Sequence, residues 1–428
     1  MTFPRIRPLR RAVSVVALAQ SVWSLSGPAA AATAEELEAK LNALTAQMQV
    51  LQGELAALKA QNAAAAVSGT PQSVTPPADG TGIDWFGYGE LSYSRPTKDA
   101  SGTAADVGRF VLGAGYRFDD RTRFVSELEV EHAIASADDA GEVEVEQAYI
   151  EREINSSLYA KVGLFLIPSG LLNESHEPTR YYGVFRNSVE TGIIPSTWRE
   201  VGVGLQGRTA GGLRWDVGVT TGSDLSKWDP ASSEGLESPL GAIHQEGQLA
   251  RAADLSGYIA ANYSGFPGLL VGASITGGDI SQGQPGFDQN RLLLWEGHAR
   301  WTPGAWDLSA LYAHGHISNT AQANLAFIGN PTLIPENFYG WYLQAAYVAQ
   351  LPNSWSLAPF ARFERVNTAS SYAFLGTGLT PDALRAEQIS TLGLNLNISP
   401  GVVLKLDYQS FDSNSSLDRV DIGLGYAF

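Results

Sequence analysis

The segment Pro168 to Trp198 is set apart by dense mixed charge interspersed with apolar and aromatic residues. Glu174, His176, Glu177, Arg180, Arg186 and Glu190 mix both charge signs there, and Tyr181, Tyr182, Phe185, Ile193 and Ile194 are interspersed among them. A merely solvated loop has no use for that apolar content. A loop folded back inside a hollow protein does, because it must pack on the wall, and it would place its charges where solutes pass. The competing reading is an external lid or a latch between protomers. Other constellations are weaker. His316 and Ser318 lie close together, but no third group orients them for nucleophilic catalysis. His314 and His316 supply two metal ligands and no third. Gly202-Val-Gly-Leu-Gln-Gly207 has dinucleotide-type glycine spacing, yet it stands in a strand-like stretch followed by a tight turn and another strand. That motif needs a strand-to-helix turn. The expectation is therefore no enzyme, no cofactor and no metal site.

The elements that must position the loop are strands. From Trp85 onward about sixteen segments alternate apolar and polar residues, each near the length of a tilted membrane strand. Phe110, Leu112, Ala114, Tyr116 and Phe118 share one face, as do Val402, Leu404, Leu406 and Tyr408. The opposite faces carry Arg109, Arg117, Arg123, Lys161, Arg208, Arg214, Arg300, Arg362 and Lys405. They also carry Glu127, Glu129, Glu131, Glu200, Asp216, Glu296, Glu364, Asp407 and Asp421. Arg or Lys on a lipid face costs about 2–4 kcal/mol at mid-bilayer, so these charges belong in a lumen. Short Gly-, Pro-, Asn- and Asp-containing turns alternate with longer polar stretches, the longest ordered-looking one spanning 166–197. The run ending at Phe428 alternates Val420, Ile422, Leu424, Tyr426 and Phe428 with polar or tiny residues, as a barrel's closing strand would.

The 428 residues include no Cys, which excludes disulfides and thiol chemistry. The N-terminus reads as an export signal over 1–32: Arg5, Arg7, Arg10 and Arg11, an apolar stretch from Ala12 to Leu25, then Ala29 to Ala32. Without those four arginines the formal charge of −16 becomes about −20, which argues against nucleic-acid binding. Over 33–62, Leu37, Leu41, Leu44, Met48, Leu51, Leu55 and Leu58 alternate four- and three-residue steps, an a/d seam for a short oligomerising coiled coil. Residues 63–82 are Pro-, Ala-, Ser- and Gly-rich and read as a linker. Residues 83–428 form the expected barrel. Facing assignments near Glu142–Glu153 and Leu292–Trp295 are open to a one-residue slip at a bulge.

Three segments carry a family resemblance: Gln147-Ala-Tyr-Ile-Glu151, Lys161-Val-Gly-Leu-Phe-Leu-Ile-Pro-Ser-Gly170 and Asn173-Glu-Ser-His-Glu-Pro178. They resemble the strand–strand–third-loop region of phosphate-selective porins of the O/P type. The order of signal, coiled coil and barrel also resembles related trimeric porins for small dicarboxylates. The resemblance implies a homotrimer of sixteen-stranded barrels, an inward third loop and passive diffusion. Phosphate-selective members carry arginine ladders and a lysine cluster, whereas this third loop has two arginines, no lysine and three glutamates.

The resulting expectation is an all-β, antiparallel transmembrane barrel in the outer membrane of a Gram-negative bacterium. It would diffuse small hydrophilic solutes and ions past a constriction made by Glu174, His176, Glu177, Arg180, Tyr181, Arg186 and Glu190. Its wall would be set by Arg109, Arg123, Glu127, Glu129, Lys161, Glu200, Arg208, Arg214, Arg300 and Arg362. Expected partners are outer-membrane lipid, lipopolysaccharide, two further copies of the chain and, through Phe428, the barrel-assembly machinery. The alternatives are an anion-selective porin for phosphate or dicarboxylates, and a structural anchor reaching peptidoglycan through the coiled coil.

Overall fold

A computed structural model describes residues 49, 82–136, 140–287 and 289–428. The export signal and almost all of the heptad helix and linker lie outside the described residues. The alternating segments become sixteen strands. In chain order they are β1 Ile83–Pro96, β2 Ala104–Asp119, β3 Thr122–Glu131, β4 Val143–Asn155, β5 Leu158–Leu166, β6 Arg199–Arg208, β7 Leu213–Thr220 and β8 Ser256–Phe266. There follow β9 Leu269–Asp279, β10 Arg291–Trp301, β11 Trp306–Ile317, β12 Asn337–Tyr347 continued by Ala349–Gln350, β13 Ser356–Ser371, β14 Glu387–Ser399, β15 Val402–Phe411 and β16 Arg419–Ala427. Each pairs antiparallel with its neighbours in sequence, and β1 also pairs with β16 from Tyr88↔Ala427 to Pro96↔Arg419. Phe428 completes the seam: its N–H donates to Gly87 O (2.9 Å) and its carbonyl accepts from Gly87 N–H (3.1 Å). The sheet is closed, so no strand edge is left unpaired.

The period-2 pattern sorts the two faces. Leu343, Leu392, Val203 and Ile259 are more than half exposed on the outside. Arg362, Glu364, Asp216 and Asp407 are buried on the inside. Outward aromatics gather near the short turns, where Trp306 packs edge-on to Tyr347 (5.1 Å) and Tyr263 to Phe266 (5.8 Å). A second group, Trp295 on β10, Tyr312 on β11 and Tyr339 on β12, lies further from the short turns, Tyr312 being six residues beyond Trp306, roughly 20 Å along a strand. Two such girdles are what a lipid-spanning barrel places at its two interfaces. Gly202 to Gly207 lie inside β6, so the glycine spacing is strand and not a dinucleotide turn. His314 and His316 share the outward face of β11, with His314 against Trp295 and His316 hydrogen-bonded to Asn337.

Seven connections are short and eight are long, in strict alternation. At one short turn Gly268 takes a positive φ of 74° beside Pro267, a backbone conformation a side chain would strain. The uncertain register resolves in two ways. A bulge falls in β4, where Glu127↔Gln147 is followed by Leu128↔Val145 and Glu146 is the extra residue. β10 is regular, and Leu292 and Leu294 face inward. They do so because the long-loop half of the interior is filled by folded loops. Ile167, Val189, Ile193, Ile194 and Trp198 of loop 167–198 join Leu225, Trp228, Leu240 and Ile243 of the next long loop in one buried apolar cluster against β8 to β13.

Candidate functional site

Loop 167–198 leaves β5 and returns to β6, and a single side chain closes its neck. Asn173 Nδ2 donates to Ile167 O (2.7 Å) and Trp198 O (2.9 Å), while its Oδ1 accepts from Trp198 N–H (2.7 Å). From that neck the loop crosses the barrel interior and bonds to walls far apart around the ring. Tyr181 donates to Glu90 on β1 (2.6 Å), and Tyr182 to Asp307 on β11 (3.0 Å). Val184 N–H donates to Asp407 on β15 (2.6 Å), and Ser188 N–H to Glu364 on β13 (2.6 Å). Arg109 on β2 donates to His176 O (2.5 Å), and Arg214 on β7 holds both oxygens of Glu174 (2.6 and 2.7 Å). Glycines on the wall let the loop lie close. A Cβ at Gly425 would come within 2.7 Å of Pro178, and one at Gly340 within 3.0 Å of Ile193.

The expected loop residues fall into two groups. Glu174, Glu177, Arg180 and Arg186 line open space. The side chain of Arg180 makes no ion pair or hydrogen bond with the described residues, and Arg186 bonds only the hydroxyls of Ser196 and Thr197. Glu190 and His176 depart from the expectation, being 3 % exposed each. Glu190 is a bolt and not a pore-facing charge: Oε1 accepts Leu171 N–H (2.6 Å) and Leu172 N–H (2.7 Å), and Oε2 accepts Asn187 Nδ2 and Tyr342 Oη (both 2.9 Å). The loop's own apolar residues pack around it and exclude water. That burial holds the Glu190 carboxyl above its usual range, opposed by the four donors. Burial likewise pushes the Tyr181 and Tyr182 hydroxyls up, helped by Glu90 and Asp307.

Five of the ten expected wall residues form ion pairs. Arg109 bonds Glu90 (2.8 Å), Arg123 Glu151 (2.9 Å), Arg214 Asp216 (3.0 Å), Arg300 Asp307 (2.6 Å) and Arg362 Glu364 (2.7 Å). Glu200 departs from the expectation of a pore-wall charge, since Thr221 and the Trp198 indole cover it under the loop. Glu127 is 7 % and Glu129 2 % exposed, both beneath the loop. Toward the short turns a cavity of about 360 Å³ is lined by Arg123, Lys161, Arg208, Glu127, Glu174 and Glu177. On the long-loop side a cavity of about 370 Å³ is lined by Arg186, Lys405, Arg419, Glu90 and Asp106. Between the loop and the β7–β13 wall is a space of only about 60 Å³, lined by Arg180, Arg214, Arg300, Arg362, Glu174 and His298.

Sequence reasoning missed several residues that organise this interior: Tyr88, Glu90, Glu146, Asn173, Arg199 and Asp307. Glu90 was legible in principle, since it alternates with the outward Leu91 and Tyr93 of β1. Glu146 was hidden by the bulge. Arg199, fully buried between Glu144 and Glu246, depends on a contact across 47 residues that no local pattern encodes.

No protein-family model matches the chain. An uncharacterized protein of Aquifex aeolicus is 29% identical over 348 residues, covering 79% of this chain and 78% of that protein. Among solved structures, OmpF of Salmonella typhi in complex with daunomycin superposes with a TM-score of 0.57 at 14% identity, over 82% of this chain and 99% of that one. The outer-membrane channel DcaP of Acinetobacter baumannii gives 0.51 at 12% identity, over 82% and 99%. The anion-selective porin from Comamonas acidovorans gives 0.50 at 13% identity, over 81% and 100%. At these identities the likeness is one of fold: the chain has the sixteen-stranded barrel of outer-membrane porins.

Proposed function

We propose that the chain is an outer-membrane porin, a water-filled channel for passive diffusion of small hydrophilic solutes and ions, with loop 167–198 as its constriction. The observation that carries the reading is the loop's path. It hydrogen-bonds to β1, β2, β7, β11, β13 and β15, so it bridges opposite walls and divides the interior into two cavities. The outward apolar belt and its aromatic girdles suit the outer membrane of a Gram-negative bacterium. The chemistry proposed is that of a sieve. The heptad seam at 33–62 would join three copies.

A specific observation favours anion preference. The narrow space carries Arg180, Arg214, Arg300 and Arg362 against the carboxylate of Glu174, and Arg180 is unpaired among the described residues. Arg214, Arg300 and Arg362 are paired with Glu174 and Asp216, Asp307 and Glu364, so Arg180 is the positive charge left to meet a small anion such as a phosphate or a dicarboxylate. Swelling of proteoliposomes tests the sieve. Pentoses should enter quickly, and rates should fall steeply with solute size. Absence of swelling with the smallest sugar, from a barrel shown to be folded, would overturn the reading.

A further inference from the structure

The wall under the loop holds more buried carboxylate than its cations neutralise. Glu127 and Glu129 on β3 and the bulged Glu146 on β4 are 7 %, 2 % and 0 % exposed. Glu127 Oε2, Glu129 Oε1 and Glu146 Oε1 are buried and accept no hydrogen bond. A buried unpartnered carboxylate oxygen is costly, and three together need a positive partner. The neighbouring arginines make their ion pairs with other carboxylates, and the buried Arg109 Nη1 and Arg199 Nε bond none of these three glutamates. Arg109 bonds Glu90 (2.8 Å) and His176 O (2.5 Å), and Arg199 bonds Glu144 and Glu246.

His176 completes the set from the loop side. Its ring is 3 % exposed, and Nδ1 lies 3.0 Å from Asn173 O, which can only accept. That bond places a proton on Nδ1, so in the neutral ring Nε2 would present its lone pair to the cluster, the usual arrangement of a metal-bound histidine. Nε2 is 3.7 Å from Glu146 Oε2, and the Tyr88 hydroxyl is within hydrogen-bonding distance of both (2.6 and 2.9 Å). One hydroxyl proton can serve only one of them. One ligand atom from each of Glu127, Glu146 and His176 lies within 4.8 Å of the others, and Glu129, Glu144 and Glu146 form a second such group sharing Glu146. Tetrahedral zinc ligands sit about 3.3 Å apart, so only a small inward movement is needed.

We propose that Glu127, Glu146 and His176 bind one divalent transition-metal ion, of the zinc or manganese class, which ties loop 167–198 to the β3–β4 wall. The imidazole selects against calcium and magnesium, and the absence of Cys against soft thiophilic ions. Glu127 also lines the 360 Å³ cavity, which gives the ion a route from solvent. The β4 bulge gains a purpose, since it is what turns Glu146 inward beside Glu127. Sequence reading names no metal site because the three ligands come from β3, β4 and the loop, with no fixed spacing.

The test is calorimetric titration of the folded, detergent-solubilised full chain with ZnCl2, MnCl2 and CaCl2 after chelation and dialysis. About one zinc or manganese ion should bind per chain, with calcium far weaker. E127Q and H176Q should each weaken binding on the order of 10- to 100-fold. X-ray absorption at the zinc edge of wild type, which needs no variant, should show nitrogen and oxygen ligands including one imidazole. No binding to wild type would mean that shared protons hold the carboxylates, and would overturn the proposal. So would an affinity unchanged in folded E127Q and H176Q, or a zinc shell without imidazole. These readouts do not involve transport, so the site can fail while the channel reading stands.

Discussion

Glu190 fastens the loop through four donors that its two oxygens accept at once. Glutamine cannot replace it, because its amide turns a donor toward a donor. E190Q should cost about 1–3 kcal/mol for each donor stranded, read as a lower heat-modification midpoint and faster proteolysis within 167–198. The raised carboxyl adds a pH signature. The folded chain keeps that proton to higher pH than the unfolded chain, so the contribution is full below the unfolded value and fades as pH rises through the folded one. Wild-type stability relative to E190Q should therefore grow as pH falls from 7 toward 4; a flat difference would contradict the assignment. Arg180 makes the complementary prediction about transport. A unit charge about 6 Å from a passing ion is worth about 0.7–2.8 kcal/mol at effective dielectric constants of 80 to 20. R180Q should lower the anion-to-cation permeability ratio about threefold or more, measured as a shift in reversal potential. At this scale the sequence disclosed which residues are charged and near the loop, but not their burial. Glu190 and Arg180 look alike in the sequence, and they differ because one meets Tyr342 from β12 and the other meets open space.

At the scale of elements, the strands were legible because a lipid-facing barrel enforces period 2 along every strand, and turn chemistry marks the gaps. Leu392 illustrates it: central in β14, 63 % exposed and aimed at lipid. L392R should destabilise the barrel by about 2–4 kcal/mol, seen in denaturant titration of the folded form, and a neutral effect would place that face away from lipid. What stayed illegible has a physical cause in each case. The β4 bulge adds one residue without changing the composition of the strand, so the inward parity switches from Glu144 and Glu146 to Gln147 and Glu151. Leu292 and Leu294 break the rule that inward residues are polar because a distant loop packs on them. The neck of loop 167–198 rests on Asn173, which bonds Ile167 six positions before it and, twice, Trp198 25 positions after it.

Across the whole molecule, ring closure, sidedness and the crossing loop act together. Closure through Gly87 and Phe428 makes the wall continuous, the outward belt suits it to lipid, and loop 167–198 crosses the interior, where the proposed channel would be narrowed. Ion pairs such as Arg109–Glu90, Arg123–Glu151 and Arg300–Asp307 tie neighbouring strands of the wall together, and the unpaired Arg180 would face a solute in the proposed channel. The central claim is an open aqueous channel gated in size and charge by loop 167–198. It is tested most directly by single-channel conductance of the purified full chain in planar bilayers under a salt gradient. The account predicts discrete conductance steps, grouped in threes, with a reversal potential on the anion side. A folded, heat-modifiable barrel that inserts and yet passes no current would contradict it.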